Sequence, residues 1–298
     1  MVSRPLAAAA GIAADRLIGE PPIGPHPVAL LGTLLQQIER RLYADRRSAG
    51  IVHAAIGVAI GTAAGALCRS TCLATYVAVA GRALGDAAGA IDTALSAGDL
   101  DRARALLPTL VGRDPDGLNE AEVCRAVVES VAENTVDAVV APALWAAVAG
   151  APGALVHRTV NTMDAMVGHR DERYSRYGWA SARLDDAAAW VPARLTAALV
   201  LGCRPRAARR VVGVVRRDAP GHPSPNSGVA EAAFAAALGL RLGGESSYGG
   251  QVEVRATLGD GRPAGRDDIG RAVRLSRDVS VALACLLAVA GLAPAVPR

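Results

Sequence analysis

Residues Ile51–Cys68 read IVHAAIGVAIGTAAGALC, 18 positions without a formal charge. A helix that crosses a bilayer needs about 20 apolar residues. Apolar character resumes from Cys72 to Ala80, so this region is either one long tilted helix or a tight pair broken at Arg69. The sequence leaves both open. Outward from it lie three more apolar runs. Ala138–Val156 contains Pro142, Trp145 and Pro152. Ala187–Cys203 is interrupted by Pro192 and Arg194, and Val279–Ala293 comes last. Leu6–Ala14 is apolar but short. It lacks the basic lead and cleavage site of a signal peptide, and reads as a membrane helix or half-helix running to about Ile18.

Composition agrees. Half of the 298 residues are hydrophobic (51%), aromatics make up 3%, and Phe234 is the single phenylalanine. Mean hydropathy is +0.27. The apolar mass is Ala, Val, Leu and Gly, which predicts helices packed closely through small residues. The fold class expected is all-α: a polytopic helical membrane protein in one domain, 1–298, with four or five embedded helices. The competing reading is an Ala-rich soluble helical protein. One short β-like segment is expected at Gln251–Leu258, where Val252, Val254, Ala256 and Leu258 alternate with polar residues.

Charge limits the chemistry. The sequence contains no lysine, so all 32 basic residues are arginine. A phosphate loop with its lysine and a pyridoxal Schiff base are both excluded. Any phosphate must be held by arginine, which suits bidentate contact. The net charge of +4 and the absence of aromatics among the arginines argue against a nucleic-acid surface. Collars at Arg40–Arg47 and Arg204–Arg217 instead mark a cytoplasmic membrane face. The five cysteines read as small core residues, neither a zinc site nor a disulfide framework.

Glu20–Pro27 (EPPIGPHP) reads as a rigid loop. Leu30–Tyr43 reads as an amphipathic helix, and Gly81–Pro108 as helical and soluble in character. Polar residues then concentrate around the second apolar run. Glu122, Glu129, Glu133 and Asp137 share one helix face by their spacing, with Asn134 beside it. Like charges so placed repel, so a divalent cation or arginines should face them; the plain alternative is a solvated face. After the run come Arg158, Asn161 and Asp164, then His169–Tyr174, Arg183, Asp185 and Asp186. Arg194 lies inside the next apolar run, where it needs an anionic partner. Arg216–Asp218, His222 and Ser224-Pro225-Asn226-Ser227-Gly228 lead into a helix carrying Glu231. Such a turn presents backbone N–H groups that can cradle phosphate, or is simply a cap. His26, His157 and His222 read as structural. The two polar segments, Glu122–Asp137 and Arg158–Asp186, are expected to be joined by an apolar hairpin, Ala138–Val156.

The strings DRLIGEPPIGPHPVALLG, VVESVAENTVDAVVAPALW, VNTMDAMVGHRDERYSRYGWASARLDD with VPARL, and SPNSGVAEAAFAAALGLRLGG with YGG resemble the CobD/CbiB family of cobalamin-biosynthesis membrane proteins, adenosylcobinamide-phosphate synthases. They run from Asp15 to Gly250. The resemblance implies ATP-dependent amide ligation of aminopropanol, or its phosphate, to a propionate carboxylate of adenosylcobyric acid. The carboxylate would be activated as an acyl phosphate, at a site open to the cytoplasmic membrane surface of the cell membrane. It implies ATP and Mg²⁺, with Glu129, Glu133, Asp137, Asp164 and Asp185 as metal ligands and Glu129, Glu133, Asp164, Arg173 and Arg194 as catalytic residues. Arg158, Asn161, Arg217, Ser224, Asn226 and Ser227 would contact the nucleotide or substrate. Partners would be the two substrates and membrane lipid, without nucleic acid; a homo-oligomer is left open. Three other readings compete. Asn161-x-x-Asp164 with Asp171 faintly copies a prenyltransferase aspartate motif, but Asp185-Asp186 is a poor second copy. A membrane sensor would make the acidic stripe dispensable. A transporter predicts repeated halves, and none is visible.

Overall fold

The structure, a computed structural model, describes the chain except residues 1, 21–23, 25, 113–114, 170, 249–250 and 294–298, and except the side chains of 245–255. Pro21, Pro22, Ile23 and Pro25 of the proline-rich loop, and Arg170, lie outside the described residues. The helices are α1 (Arg4–Ile18), α2 (Pro27–Leu42), α3 (Arg47–Cys68), α4 (Thr71–Ala78), α5 (Gly81–Ser96), α6 (Leu100–Leu106), α7 (Glu120–Thr135), α8 (Ala141–Val167), α9 (Tyr174–Tyr177), α10 (Trp179–Cys203), α11 (Ala208–Asp218), α12 (Ser227–Leu238) and α13 (Arg266–Leu292). A π turn, Val136–Val140, links α7 to α8. Strands β1 (Leu240–Tyr248), β2 (Gln251–Leu258) and β3 (Arg262–Pro263) form a small sheet ordered β2-β1-β3.

The protein is an all-α membrane protein with this one small sheet. Three helical stretches among the described residues are long and apolar enough to cross a membrane: Arg47–Cys68, Glu120–Val167 and Arg266–Leu292. That is fewer than the four or five expected. α1 and α4 are too short, at 15 and eight residues, and α10, though 25 residues long, carries Asp186 and Arg194 in its apolar half. At 1.5 Å per residue, α1 reaches only about 22 Å of a hydrocarbon core about 30 Å thick. The ambiguity at 51–80 resolves as a pair, because Arg69 adopts a left-handed φ of 53° that ends α3.

The chain groups into two compact units, each built from separated segments: 1–80, 137–192 and 283–298 in the first, 81–136 and 193–282 in the second. Read as a sequence, it offers no linker at these crossings.

In the first unit, α3 packs along the second arm of α8 through glycines. A β-carbon on Gly57 would overlap Met163 Sδ, and one on Gly61 would lie 2.9 Å from Val156 Cα. One on Gly65 would overlap Pro152 Cα. Four-residue spacing puts these glycines on one face, and their lack of side chains lets two backbones meet, as small residues do between membrane helices. Ile51, Val52 and Leu67 of α3 are exposed. The apolar hairpin expected at 138–156 is present. Gly150 takes φ 71°, ψ −153° and breaks α8. The chain folds back so sharply that a β-carbon on Gly153 would overlap the Trp145 carbonyl oxygen. The Trp145 indole N–H donates to the Ala188 carbonyl at 3.0 Å, holding the first arm to α10.

In the second unit, α12 is buried nearly all round, with Phe234 fully inaccessible. A helix apolar on every face belongs in a core, and α12 lies against α7, α11, β1 and β2. The predicted strand at 251–258 pairs antiparallel with β1, and a bulge falls between Leu242 and Gly244. Gly243 carries φ +77° there, and a β-carbon would overlap the Ala256 carbonyl oxygen. At the start of α13, buried Asp268 accepts from Arg262 Nη1 at 2.7 Å and Nη2 at 2.9 Å, from Arg271, and from the Gly265 amide at 2.9 Å. Removing one partner of a buried ion pair costs about 3–5 kcal/mol. Arg262 and Arg271 retain side-chain exposures of 55% and 36% and can rehydrate. Asp268→Ala is therefore expected to cost about 2–3 kcal/mol. A thermal midpoint unchanged from the parent would contradict that role.

The five cysteines are free, but only Cys124 is buried and Cys285 is exposed. The core reading holds for one of them.

Candidate functional site

The acidic stripe is divided by role. Glu122 is a cap: its carboxylate accepts from the Asn119 amide at 2.8 Å while Asn119 Oδ1 accepts from the Glu122 amide at 3.0 Å. This reciprocal pair satisfies two of the orphan donors at the start of α7. About two turns on, Glu129 is buried. Its Oε1 accepts from the Gly243 amide at 2.8 Å and lies 3.8 Å from Arg125 Nε, while Arg125 Nη1 donates to the Gly243 carbonyl at 2.7 Å. Glu129 and Arg125 thus clamp the β-bulge from both sides.

Glu133 takes a different partner. The Ser227 hydroxyl donates to Glu133 Oε1 at 2.6 Å. Arg194 Nη1 donates to Asn226 Oδ1 at 3.0 Å. The Ser224 hydroxyl oxygen accepts from the amides of Asn226, at 3.3 Å, and Ser227, at 3.2 Å. The sequence builds this local turn from Pro223 and Pro225, which restrict the backbone, and from small hydroxyl residues that bond it to itself. Gly228 completes it, because a β-carbon there would overlap His222 Cβ. An acid from α7, an arginine from α10 and the first turn of α12 therefore meet. Behind the turn, His222 Nε2 lies 3.6 Å from Glu231 Oε1, and both side chains are almost wholly buried. His222, a structural loop histidine by its sequence, thus has a buried acid beside it. The signal for the pair was Glu231, the one charge in SGVAEAAFAAAL.

Arg217 is placed elsewhere. Its guanidinium pairs with Asp218 at 2.6 Å and Asp260 at 3.5 Å, and Asp218 also accepts from the Gly259 amide at 2.8 Å. The arginine thus fastens α11 to the turn after β2. The hydrogen bond from Arg217 holds the Asp218 carboxyl below its usual value of 3.8, with the Gly259 amide acting the same way and burial opposing them. A carboxyl with a lowered folded-state pKa contributes stability that is complete above the unfolded value and lost as pH falls through the folded one. Thermal stability is expected to drop on acidification below about pH 4, and less steeply in Asp218→Asn. Parallel acid profiles for the two proteins would contradict this.

The first unit holds the second group. The π turn begins where the helical stripe should continue to Asp137. Such turns occur as single irregularities, often at functional sites. Asp137 and Glu20 act electrostatically on half-buried Arg158, whose inaccessible Nε has no hydrogen-bond partner among the described residues. His26, which caps α2 by accepting from the Val28 amide at 3.3 Å, feels the same group. Burial lowers its imidazole pKa, with Glu20 opposing and Arg158 adding to the shift. His26 is thus a helix cap, in keeping with a structural role, and Asp137 and Arg158 influence one another electrostatically. Buried His157, next along, has neither ring nitrogen hydrogen-bonded among the described residues. One turn on, the Asn161 amide donates to Asp185 Oδ1 at 3.4 Å. The Asp164 carboxylate folds back over Gly168, occupying the place of a β-carbon there.

Arg173 belongs to an aromatic lock. It pairs with buried Glu39 at 3.1 Å, its guanidinium lies 4.7 Å from the Tyr43 ring centroid and 5.2 Å from that of Tyr174, and the Tyr174 hydroxyl donates to Glu39 at 2.8 Å. Burial pushes the Tyr177 phenol above its ordinary pKa, with Glu39 and Tyr174 adding to it. Arg173 thus has a structural partner set that sequence reading did not see. Among the described residues no three His, Cys, Asp or Glu side chains gather as a metal cluster.

Residues 8–276 match the family described as CobD/Cbib protein. The cobalamin biosynthesis protein CobD of Mycobacterium tuberculosis (strain ATCC 25618 / H37Rv) is 46% identical over 289 residues, covering 93% of this chain and 92% of that one. Those of Klebsiella pneumoniae and Pelobacter propionicus, with the same description, are 40% identical over 285 residues (88% and 89% covered) and 38% over 275 (86% and 85%). No solved structure matches the chain. The polar groups of both units, from Glu20 and His26 to the turn at Ser224–Gly228, all fall inside the matched stretch, and the chain belongs to the CobD/Cbib family.

Proposed function

We propose that this protein is a cobalamin-biosynthesis enzyme of the cell membrane that joins an amino alcohol, aminopropanol or its O-phosphate, to a propionate carboxylate of adenosylcobyric acid at the expense of ATP. The observation that supports it most is the meeting of Glu133, Arg194 and the Ser224–Ser227 turn. An arginine beside a helix N-terminus suits a phosphate, and a carboxylate with a hydroxyl suits a small hard cation. Mg²⁺ needs only one or two protein carboxylates when phosphates and waters fill its other positions, so a dense acidic cluster is not required. Glu133 is the proposed ligand in the second unit, and Asp137, Asp164 and Asp185 are the proposed acids of the first. Bound Mg²⁺ would offset phosphate charge, as in phosphoryl transfer generally. Arg194, Asn226, Ser227 and Ser224 hold the phosphates, and Arg158 and Asn161 contact substrate or nucleotide. Glu129 and Arg173 act by position, through the bulge and the aromatic lock. The basic collars support a cytoplasmic orientation for this chemistry.

The reaction proposed runs in two balanced steps. A carboxylate oxygen attacks the γ-phosphorus and ADP leaves. The neutral amine then attacks the acyl carbon and phosphate leaves, carrying the former carboxylate oxygen, while the amine proton passes to a base. The test is oxygen transfer. Substrate labelled with ¹⁸O in its carboxylate should deliver one label to inorganic phosphate for each amide formed. Label-free phosphate, or label in AMP, would overturn the acyl-phosphate route.

A further inference from the structure

A cavity of about 560 Å³ opens where α10 ends, lined by Cys203, Arg204, Arg206, Arg210 and Ala237 among others, and no acidic residue lines it among those described. Arg204 is already committed. Its Nη2 pairs with Asp278 at 2.8 Å and its Nη1 donates to the Cys203 carbonyl at 2.9 Å. Arg210 Nε donates to the Ala236 carbonyl at 2.6 Å, at the C-terminal end of α12. That bond uses one of its donors, and a guanidinium has five. Arg206 sits in the short turn Pro205–Ala207 and is exposed. Two cationic forks therefore converge on a cavity whose third arginine is neutralised from outside it.

The depth of this cavity is fixed by two helices. The apolar stretch of α10, from Leu195 to Cys203, ends at Arg204. The charged half of α13, Arg266–Asp278, gives way at Val279 to residues without charge up to Leu292. The Arg204–Asp278 pair ties these two changes to the same level. The uncharged half of one helix ends where that of the other begins, and Val281, three residues past Asp278, is exposed. A boundary of this kind suits the level of lipid headgroups, and arginines concentrated at such a level suit the cytoplasmic leaflet, which is rich in anionic lipid.

We propose that this cavity is a binding site for the headgroup phosphate of an anionic phospholipid, with Arg206 and Arg210 as its ligands and Arg204–Asp278 as the brace that sets its depth. The site is independent of the ligation chemistry. Its test uses the full chain in nanodiscs of phosphatidylcholine, titrated with phosphatidylglycerol and read by lipid retained per protein in native mass spectrometry. Phosphatidylglycerol should be retained in preference to phosphatidylcholine. Each arginine removed should weaken it about fivefold, from the strength of one basic residue near an anionic surface, in Arg206→Gln and in Arg206→Gln/Arg210→Gln. The single variant keeps the test valid if loss of Arg210 from the end of α12 disturbs folding. Equal retention of the two lipids, or unchanged retention in Arg206→Gln, would overturn the proposal. So would displacement of the lipid by millimolar inorganic phosphate, which would make the cavity a site for a soluble anion.

Discussion

Replacing Glu133 by Gln should lower amide synthesis by about 100-fold or more while leaving the protein folded and in the membrane. The carboxylate is the acid that the Ser227 hydroxyl reaches, at 2.6 Å. Gln keeps the size and an acceptor oxygen for that hydroxyl, so the turn at Ser224–Gly228 keeps its bond. What is lost is the negative charge, and with it a ligand for the cation that offsets phosphate charge. Removing one preorganised electrostatic group from a reacting centre costs 10²–10³-fold in turnover, which sets the expected size. The measurement is turnover of the purified variant across an Mg²⁺ titration, beside a thermal midpoint. A lowered rate that rises again at high Mg²⁺ would assign the residue to metal affinity. Full turnover at every Mg²⁺ concentration would remove Glu133 from the site.

A Gly61→Leu substitution should cost about 3 kcal/mol, at the upper end for overpacking. A β-carbon alone would stand 2.8 Å from Thr159 Oγ1, 2.9 Å from Val156 Cα and 3.0 Å from the Leu155 carbonyl oxygen. Two of these are backbone atoms, which cannot rotate away, so α3 and the second arm of α8 must separate. Gly57 and Gly65, on the same face, would lose their contacts with Met163 and Pro152 too. Gly32→Ala in α2, where the nearest atom is Thr162 Cγ2 at 3.9 Å, is the matched control and should be nearly neutral. The check is the fraction of folded protein extracted in mild detergent, with its thermal midpoint. A Gly61→Leu protein as stable as the Gly32→Ala protein would contradict the packing described for α3.

These two positions show what was legible in the sequence. The uncharged run at 51–68 gave α3 its length, because a bilayer demands a continuous apolar stretch. The break at Arg69 was legible only as one of two alternatives, since a left-handed arginine is rare and carries no local signature. The apolar run at Ala138–Val156 between two polar segments made a hairpin the expectation, and Gly150 supplies the reversal. The regular acidic stripe was read too simply. Glu122 satisfies the start of its own helix, and Asp137 lies within the π turn Val136–Val140, neither of which helical spacing reveals. Arg194 was recognised as needing a partner. That the partner includes Asn226, 32 residues on, is a tertiary fact. Arg173 and Arg217 looked like phosphate ligands because an arginine's own sequence neighbours do not show which carboxylate it will meet. Here these are Glu39 and Asp218 with Asp260. The reaction itself was legible only through resemblance, since composition indicates a membrane and arginine but not a substrate.

The most direct test of the ligase reading is reconstitution of the purified full chain in detergent with ATP, Mg²⁺ and adenosylcobyric acid, adding aminopropanol or its O-phosphate and following product mass. One of the two amines should give a product heavier than adenosylcobyric acid by the amine less one water, only when ATP is present. No such product with either amine would contradict the assignment of this protein as an amide-forming enzyme.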